Sequence, residues 1–366
     1  DYHVTFKLTQ PYAAFKTIAT QTNLSIVSEA AVTAAGDAYG DVDNVLGSGE
    51  FTVTEWVPND HYILTKNEKY WGEEPIATSI TVRVIPEGSA RTIALEAGEV
   101  DLVWNVDPTD CANVEANSDV TLLSQPSSSI EYLGMNTTKE KFSDERVRQA
   151  INYALDKQTF VDTIVEGRGI VANSYINSTI PGWSEEEEAY PYDPEKAKAL
   201  LEEAGWDGSQ TIRFYVNSGD STFVNAASII AAEWAAVGIK AEIQTVDFAT
   251  LMSVAGTEDY DVLAVQYTYA PVDPYPDVAW LLGGEGSWTG YSDDTLNDAL
   301  TKSQLTSDPE ETKELFSVVD KKVQEDVPMF SAYVISAQGA VSKRITGAAP
   351  SVYGFFNDVQ NWDVVE

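Results

Sequence analysis

This 366-residue sequence holds few of the side chains that usually perform catalysis or bind metals. It has 58 acidic residues, but its only histidines are His3 and His61 and its only cysteine is Cys111. Histidine-based triads and zinc sites therefore lack the residues they need, and a single cysteine excludes an internal disulfide. Two carboxylates could serve a glycosidase, yet no stretch singles out such a pair. The sequence predicts a protein that binds without catalysing, and it predicts neither a metal nor a cofactor.

Residues 260–276, YDVLAVQYTYAPVDPYP, form the stretch in which a ligand site is easiest to place. The apolar run at 262–265 predicts a strand buried on both faces of a mostly parallel sheet. Tyr267 and Tyr269 then alternate at period two, and prolines as far as Pro276 predict an extended loop. Because ligands bind at the carboxyl ends of strands in open α/β sheets, we expect this loop to contact a ligand. The alternative is a packed loop whose tyrosines cover a core.

Two other predicted strands supply further positions for ligand contact. Residues 80–104 have the pattern of a strand, a helix and a second strand that ends at Trp104, so Asn105 follows a carboxyl strand end. A later strand contains Ser129 and Tyr132. These four residues are therefore included among the predicted ligand contacts.

Two helices with clear start signals predict the scaffold of an α/β lobe. The first has Ser143 as its expected N-cap and Asp144 in its first turn, and apolar residues at 147–155 fall on one face. The second has Asp193 as its expected cap and Pro194 at its first position. Both patterns indicate helices that pack one apolar face against a core.

The charge balance limits the possible partners. Twenty-two basic residues against 58 acidic ones give a net charge of −36, which repels nucleic acid and anionic membrane surfaces. No apolar stretch approaches the roughly 18 residues of a membrane span, and the opening residues do not have the pattern of a signal peptide. Because the opening residues already have the pattern of a strand, we expect that a segment precedes residue 1.

Several motifs give the sequence a family resemblance. The segment FSDERVRQAI at 142–151, followed by YALD at 153–156 and GRG at 167–169, resembles the family 5 extracellular solute-binding proteins of bacterial ABC importers. This group includes dipeptide, oligopeptide and nickel binders. Three further segments agree with the family in the same order; they lie at 47–72, 192–206 and 325–328. The resemblance covers about residues 2–345 and lacks the N-terminal piece of the family.

The resemblance implies a fold and a division into domains. The fold would be α/β, of the two-lobed periplasmic-binding-protein-like class (type II) with a hinge, and we expect its first lobe to be incomplete. Residues 1–133 would be the remainder of lobe I, with the end of a small extra domain at 1–25. Residues 134–333 would form lobe II, and 334–366 would return to lobe I.

The resemblance also implies a function. We expect an extracytoplasmic receptor, either a cell-surface lipoprotein or a periplasmic protein, that captures a small or peptide-like solute between its lobes. It would deliver the solute to the permease subunits of an ABC importer, act as a monomer and reach the membrane only through an upstream anchor. The alternatives are a carboxylate-dependent glycosidase and a cell-surface carbohydrate-binding module.

The family comparison adds aromatic positions to the predicted site. Phe248 and Tyr267 fall where peptide-binding members place pocket aromatics, and Trp288 lies in a loop that approaches the ligand in relatives. Together with Tyr269, these side chains imply an aromatic wall that suits stacking.

Charged groups that grip a peptide in relatives are replaced here. Ala270 stands where peptide binders carry an aspartate for the ligand ammonium, and Ala264 stands where oligopeptide binders carry an arginine. We therefore expect a neutral or internally charge-balanced solute. Asp273 is the remaining carboxylate expected to meet a ligand, although it could equally cap its own loop.

Overall fold

The computed structural model describes residues 3–20, 24–42, 44, 46–269, 274–283, 287–349 and 359–365. The chain forms two compact units. The first unit consists of residues 1–19 and 126–336, and the second of residues 20–125 and 337–366. The sequence predicted boundaries after residues 133 and 333, and the assignment of lobes to these units remains a prediction.

Strands and helices occur throughout both units. The strands, in chain order, are β1 (Phe51–Val57), β2 (His61–Lys66), β3 (Ser79–Arg83), β4 (Leu102–Trp104), β5 (Val120–Pro126), β6 (Ser129–Met135), β7 (Gly169–Val171), β8 (Thr211–Asn217), β9 (Lys240–Val246), β10 (Val262–Thr268), β11 (Met329–Ser331), β12 (Tyr333–Ser342), β13 (Ile345–Thr346) and β14 (Asp363–Val364). The α-helices are α1 (Phe15–Ile18), α2 (Glu29–Ala35), α3 (Gly88–Glu96), α4 (Pro108–Ala116), α5 (Glu145–Tyr153), α6 (Lys157–Thr163), α7 (Pro194–Glu203), α8 (Ser221–Ala236), α9 (Phe248–Gly256), α10 (Tyr275–Leu282), α11 (Asp294–Ser303) and α12 (Pro309–Asp326). Short 3-10 turns lie at Gly36–Ala38, Glu140–Phe142 and Val359–Asn361.

A five-stranded sheet in the order β11-β6-β10-β8-β9 organises the first unit. The prediction of a mostly parallel sheet around β10 is confirmed only in part, because β11, β10, β8 and β9 run in one direction and β6, between β11 and β10, runs in the other. β10 pairs in parallel with β8 over three residues, but it pairs antiparallel with β6 over seven. An apolar run indicates burial on both faces, and this burial is compatible with either strand direction. The sheet is therefore mixed.

The side chains of β10 enter two different cores. Val262 and Ala264 belong to a cluster that also contains Trp234, and Leu263 and Val265 belong to a cluster on the opposite face. All four are buried. The prediction of a strand buried on both faces is confirmed.

Helix caps agree only partly with the sequence predictions. Asp193 caps α7, because its Oδ1 accepts a hydrogen bond of 2.9 Å from the Lys196 amide, and Pro194 is the first helical residue as expected. For α5, however, the N-cap is Asp144 instead of Ser143, with its Oδ1 2.9 Å from the Arg146 amide. Aspartate and serine cap about equally well, so residue type alone did not separate two adjacent candidates.

Two other predictions of local structure are wrong. The prolines were expected to keep the chain extended, but α10 begins at Tyr275 with Pro276 in its first turn, where a missing amide costs nothing. The opening residues were expected to form a strand, yet 3–8 lie outside every strand, and Val4 and Phe6 are 70% and 64% exposed. An alternating pattern forms a strand only when a partner strand is available.

The second unit has its own sheets and core. Strands β1, β2 and β3 form an antiparallel sheet, and β4 and β5 flank β12 in another. Cys111 is completely buried in a small cluster with Leu95 and Val114, as befits a thiol that packs as a small core residue. β12 contains the boundary between the units at residues 336 and 337.

Candidate functional site

A polar strip lies on one face of the first unit's sheet, where β10 ends. Strand register pairs Thr268 with Ser129 and Gln266 with Glu131. The hydroxyl oxygens of Ser129 and Thr268 are 2.7 Å apart, and Gln266 Nε2 donates to Glu131 Oε1 at 2.9 Å. Gln266 and Thr268 are exposed, so hydroxyl and amide groups at this strand end are accessible to a ligand.

Glu131 is the most unusual member of this strip. Its side chain is 2% exposed, and its Oε2 has no hydrogen-bond partner among the described residues. Burial raises the pKa of Glu131 well above its usual range, the negative charge of Asp220 raises it further, and the bond from Gln266 opposes the shift. The Tyr333 Oη also has no hydrogen-bond partner among the described residues. Burial and then the charge of Glu131 raise the pKa of Tyr333. The strip thus contains a carboxyl group for which ionisation is costly.

Stacked aromatic rings occupy the opposite face of the sheet. The rings of Tyr267 and Trp280 are 5.6 Å apart and those of Trp280 and Trp288 are 5.9 Å apart, the second pair almost parallel at 10°. Tyr267 donates a hydrogen bond of 2.8 Å to Asp277 Oδ1, which fixes its ring. Trp280 is 46% exposed and leaves part of an aromatic surface open to solvent. Such a surface can stack on a planar or apolar part of a ligand.

The other predicted tyrosines lie in the packed interior behind these rings. Tyr132 and Tyr269 are completely buried, their hydroxyl oxygens are 2.5 Å apart, and Tyr132 also donates to the Tyr175 carbonyl. Trp288 is 6% exposed, and its carbonyl accepts a hydrogen bond from Tyr260. Tyr132, Tyr269 and Trp288 therefore pack beneath the exposed rings. Direct ligand contact by these three side chains remains a prediction.

The remaining predicted contacts are dispersed. Phe248 is the first residue of α9 and is 55% exposed. Trp104 and Asn105 belong to the second unit. Asn105 has a φ of 61°, a left-handed conformation that asparagine tolerates, and its carbonyl accepts a hydrogen bond of 2.9 Å from Arg91.

Of the two positions at which alanine replaces a charged residue of the relatives, the structure describes only Ala264. Ala264 is completely buried in the apolar core. Asp273 and Ala270 lie outside the described residues, so their predicted roles stay predictions.

Sequence reasoning missed Trp280, Glu131 and Gln266. A signal existed for Gln266, because it alternates with Thr268 directly after an apolar run and so marks a polar strand end. No local signal distinguished Trp280, because its exposure depends on the orientation of α10 in the folded unit. Glu131 lies inside a predicted strand, where one acid among apolar residues gives no indication of burial.

The described residues include neither a metal-binding cluster nor a helix that could span a membrane. Within them, no group of three or more histidine, cysteine, aspartate or glutamate side chains is placed to hold a metal ion. Their helices also include none with the length and apolarity that crossing a membrane requires.

Comparison with known families decides the classification. The family model for bacterial extracellular solute-binding proteins, family 5 Middle, matches residues 1–289, which is most of the chain. This chain belongs to that family. The resemblance found in the sequence motifs is thereby confirmed, and the members of this solute-binding family are binding proteins by description.

Individual family 5 relatives agree with this assignment. A dipeptide-binding protein of Escherichia coli is 27% identical over 340 residues, which cover 90% of this chain and 64% of that protein. The periplasmic binding protein DppA from Helicobacter pylori, in complex with the peptide STSA, matches with a TM-score of 0.88 at 24% identity, covering 98% of this chain and 72% of DppA. The oligopeptide-binding protein AppA from Bacillus subtilis, in complex with a nonapeptide, matches with a TM-score of 0.86 at 21% identity. This match covers 99% of the present chain and 76% of AppA.

These matches establish the fold of the family 5 chain. The predicted α/β fold of the two-lobed periplasmic-binding-protein class is confirmed. The chain spans 64% of the length of the dipeptide-binding relative.

Proposed function

We propose that this family 5 protein is an extracytoplasmic receptor that captures a small, peptide-like solute and delivers it to an ABC importer. Family membership supports this proposal, and so do relatives named for dipeptide and oligopeptide binding. The observation that carries it is the end of β10. There, an accessible polar strip and a partly exposed aromatic stack flank the same strand end, where α/β sheets bind ligands.

The chemistry of this strand end favours a neutral or internally charge-balanced solute. Ser129, Thr268 and Gln266 offer hydroxyl and amide groups, and Trp280 offers a stacking surface. Glu131 adds a carboxyl group, but burial raises its pKa and so disfavours its ionised form. An ion pair between Glu131 and a cationic group of the solute is therefore not expected to be the main attraction. A solute bound here would be held by stacking and hydrogen bonds more than by ion pairs.

Further properties are proposed from the family. The protein would act outside the cytoplasm, as a lipoprotein or in the periplasm, as a monomer that contacts the permease subunits of its importer. It would perform no reaction, so incubation with peptides and oligosaccharides would leave every compound intact. Catalytic release of a product would refute this part of the proposal.

Calorimetry with di- and tripeptides, sugars and nickel chelates tests the receptor function directly. For any compound that binds, Trp280→Ala should weaken the affinity about tenfold or more, because a stacking contact and its buried area are lost. Trp71→Ala, at a tryptophan 79% exposed in the second unit, is the matched control and should leave the affinity unchanged. If Trp280→Ala binds as well as the unsubstituted protein, the ligand does not use this strand end.

A further inference from the structure

One hydrogen bond connects the buried member of the polar strip to an exposed one. Glu131 and Gln266 lie directly opposite each other on the antiparallel strands β6 and β10, so their side chains extend from the same face of the sheet. Gln266 Nε2 donates to Glu131 Oε1 at 2.9 Å. Glu131 is 2% exposed, whereas Gln266 is exposed. The bond therefore joins an interior carboxyl group to an amide that a solute can reach.

The two ends of the Gln266 amide have different surroundings. Its nitrogen donates to Glu131, and its oxygen has no hydrogen-bond partner among the described residues. In a carboxamide the nitrogen only donates and the oxygen only accepts. A half-turn of the amide about its last single bond exchanges the two ends and leaves the shape of the side chain almost unchanged. The end that faces Glu131 therefore determines whether the exposed end accepts or donates.

The protonation of Glu131 determines which end of the amide it favours. An ionised carboxylate only accepts hydrogen bonds, so it selects the amide nitrogen. In the protonated form, a hydrogen on Oε2 would have no acceptor, because Oε2 has no hydrogen-bond partner among the described residues. A hydrogen on Oε1 can instead donate to the Gln266 oxygen after the half-turn. Because a buried donor without an acceptor is tolerated less well than a carbonyl oxygen without a donor, the protonated form favours the turned amide.

The neighbours of Glu131 shift its ionisation to higher pH. Among the described residues, Asp220 and Tyr333 are the charged or titratable groups that act on Glu131 or respond to its charge, and neither is a cation. Burial and then the charge of Asp220, the N-cap of α8, raise the pKa of Glu131, and the bond from Gln266 opposes this shift. Burial also raises the pKa of Tyr333, so its hydroxyl stays neutral. Glu131 is therefore expected to change its protonation above the ordinary glutamate value of about 4.3.

We propose that Glu131 and Gln266 form a proton-controlled switch at the end of β10, in which protonation of Glu131 turns the Gln266 amide and replaces the acceptor that a solute meets there by a donor. This inference rests on the proposed function, because it takes this strand end as the solute site. With Glu131 protonated, the exposed amide nitrogen donates to a carbonyl or carboxylate oxygen of the solute. With Glu131 ionised, the exposed amide oxygen accepts from an N–H or O–H group. Glu131 is thus a positioning residue that acts through Gln266.

NMR of the unsubstituted chain tests the switch without any solute. The carboxyl carbon signal of Glu131 and the side-chain amide signals of Gln266 should change with the same midpoint, between roughly pH 5 and pH 9. Above the midpoint the amide signals should indicate a hydrogen bond to the carboxylate, and below it they should lose that signature. An amide that does not respond when Glu131 ionises would overturn the proposal. A Glu131 that keeps one protonation state throughout this range would overturn it as well.

Two variants separate the switch from a general effect of pH. Glu131→Gln keeps the size of the side chain but cannot ionise, so the response of the Gln266 amide should disappear. Glu242→Gln is the matched control, because Glu242 is an exposed acid on β9 that accepts a hydrogen bond of 2.8 Å from Gln244. In this control the response of Gln266 should persist. A response that persists in Glu131→Gln would mean that another group controls the amide, and the proposal would be wrong.

Calorimetry connects the switch to binding. For a di- or tripeptide that binds, titration in two buffers of different ionisation enthalpy measures the protons exchanged on binding. At the midpoint found by NMR, a peptide that accepts from Gln266 should bind with proton uptake, and one that donates to Gln266 should bind with proton release. The affinity should change about tenfold across the transition, because the wrong end of the amide leaves a polar group unsatisfied.

The same titrations distinguish the switch from the receptor function. Glu131→Gln should bind the peptide without the proton exchange and without the tenfold change. Equal proton exchange in Glu131→Gln and in the unsubstituted protein would overturn the proposal. Absence of binding by every peptide would count against the proposed function alone, and the NMR titration would still decide whether Glu131 controls the amide.

Discussion

Replacing Glu131 with glutamine should stabilise the protein, and the gain should grow as the pH rises. Glu131 is 2% exposed, one of its oxygens accepts a single hydrogen bond from Gln266, and the other has no partner among the described residues. Its pKa is raised by burial and by the charge of Asp220. A raised pKa means that the folded state holds the proton more tightly than the unfolded state. The stability linked to Glu131 is therefore complete below the unfolded pKa and is lost as the pH rises towards the folded pKa.

The size of the effect follows from what the glutamine removes. Its amide keeps the size of the side chain and can still accept from Gln266, but it cannot ionise. The variant therefore lacks the cost of keeping this buried carboxyl protonated, which is about 1.4 kcal/mol for each pH unit between the unfolded and the folded pKa. The two amide hydrogens of the glutamine have no acceptor at the place of Oε2 and offset part of this gain, so the net gain at pH 8 is about 1–3 kcal/mol. This corresponds to a rise in Tm of roughly 3–10 °C at pH 8, and to a smaller rise at pH 5, where ionisation has hardly begun to destabilise the fold.

The assay is thermal unfolding of Glu131→Gln and of the unsubstituted protein at pH 5, 6.5 and 8. Glu202→Gln, at an exposed position of α7, is the control for the loss of one negative charge and should change stability by less than about 0.5 kcal/mol at every pH. A variant that is less stable than the unsubstituted protein at pH 8 would refute the reasoning. It would mean that a positive charge, from the protein or from a retained ligand, compensates the Glu131 carboxylate.

Three further predictions concern the scaffold that carries the strand end. Asp144→Ala should lower the free energy of unfolding in urea by about 0.5–2 kcal/mol, and Ser143→Ala should lower it much less. The reverse order would indicate that Ser143, as predicted from the sequence, is the cap. Trp234→Ala should cost about 3–5 kcal/mol in the same assay because its completely buried ring leaves a cavity, and a loss below 1 kcal/mol would contradict its place in the core. Gly182→Ala should lower Tm measurably, since Gly182 has a φ of 94° and a new Cβ would lie 2.7 Å from the Phe316 ring; an unchanged Tm would contradict this geometry.

Several features could be predicted from local sequence because their causes are local. The cap of α7 needs only Asp193 followed by Pro194, and both groups act within one turn. The burial of 262–265 follows from an apolar run too short for a helix and bounded by tyrosines. The family motifs at 142–151 also identified the fold class, because their order reflects a topology shared by relatives.

The candidate site was harder to predict because exposure is not a local property. Tyr267 and Tyr269 occupy equivalent places in an alternating pattern, yet Tyr269 is completely buried whereas Tyr267 is only half-buried and stacks on Trp280. Tyr269 packs against Tyr132 and donates to the Tyr175 carbonyl, whereas Tyr267 stacks on Trp280 of α10, a helix that the prolines were wrongly expected to prevent.

The sequence by itself determined the residue types available for binding, which depend on composition, and the resemblance of its motifs to family 5 indicated the family and the class of fold. Only the tertiary structure decided the direction of β6 beside β10, which aromatic ring is exposed, and that Glu131 is buried. Each of these is fixed by contacts between segments that are far apart in the chain. The physical reason is that burial and its electrostatic consequences depend on all the neighbours of a side chain, and most of those neighbours are not adjacent in sequence.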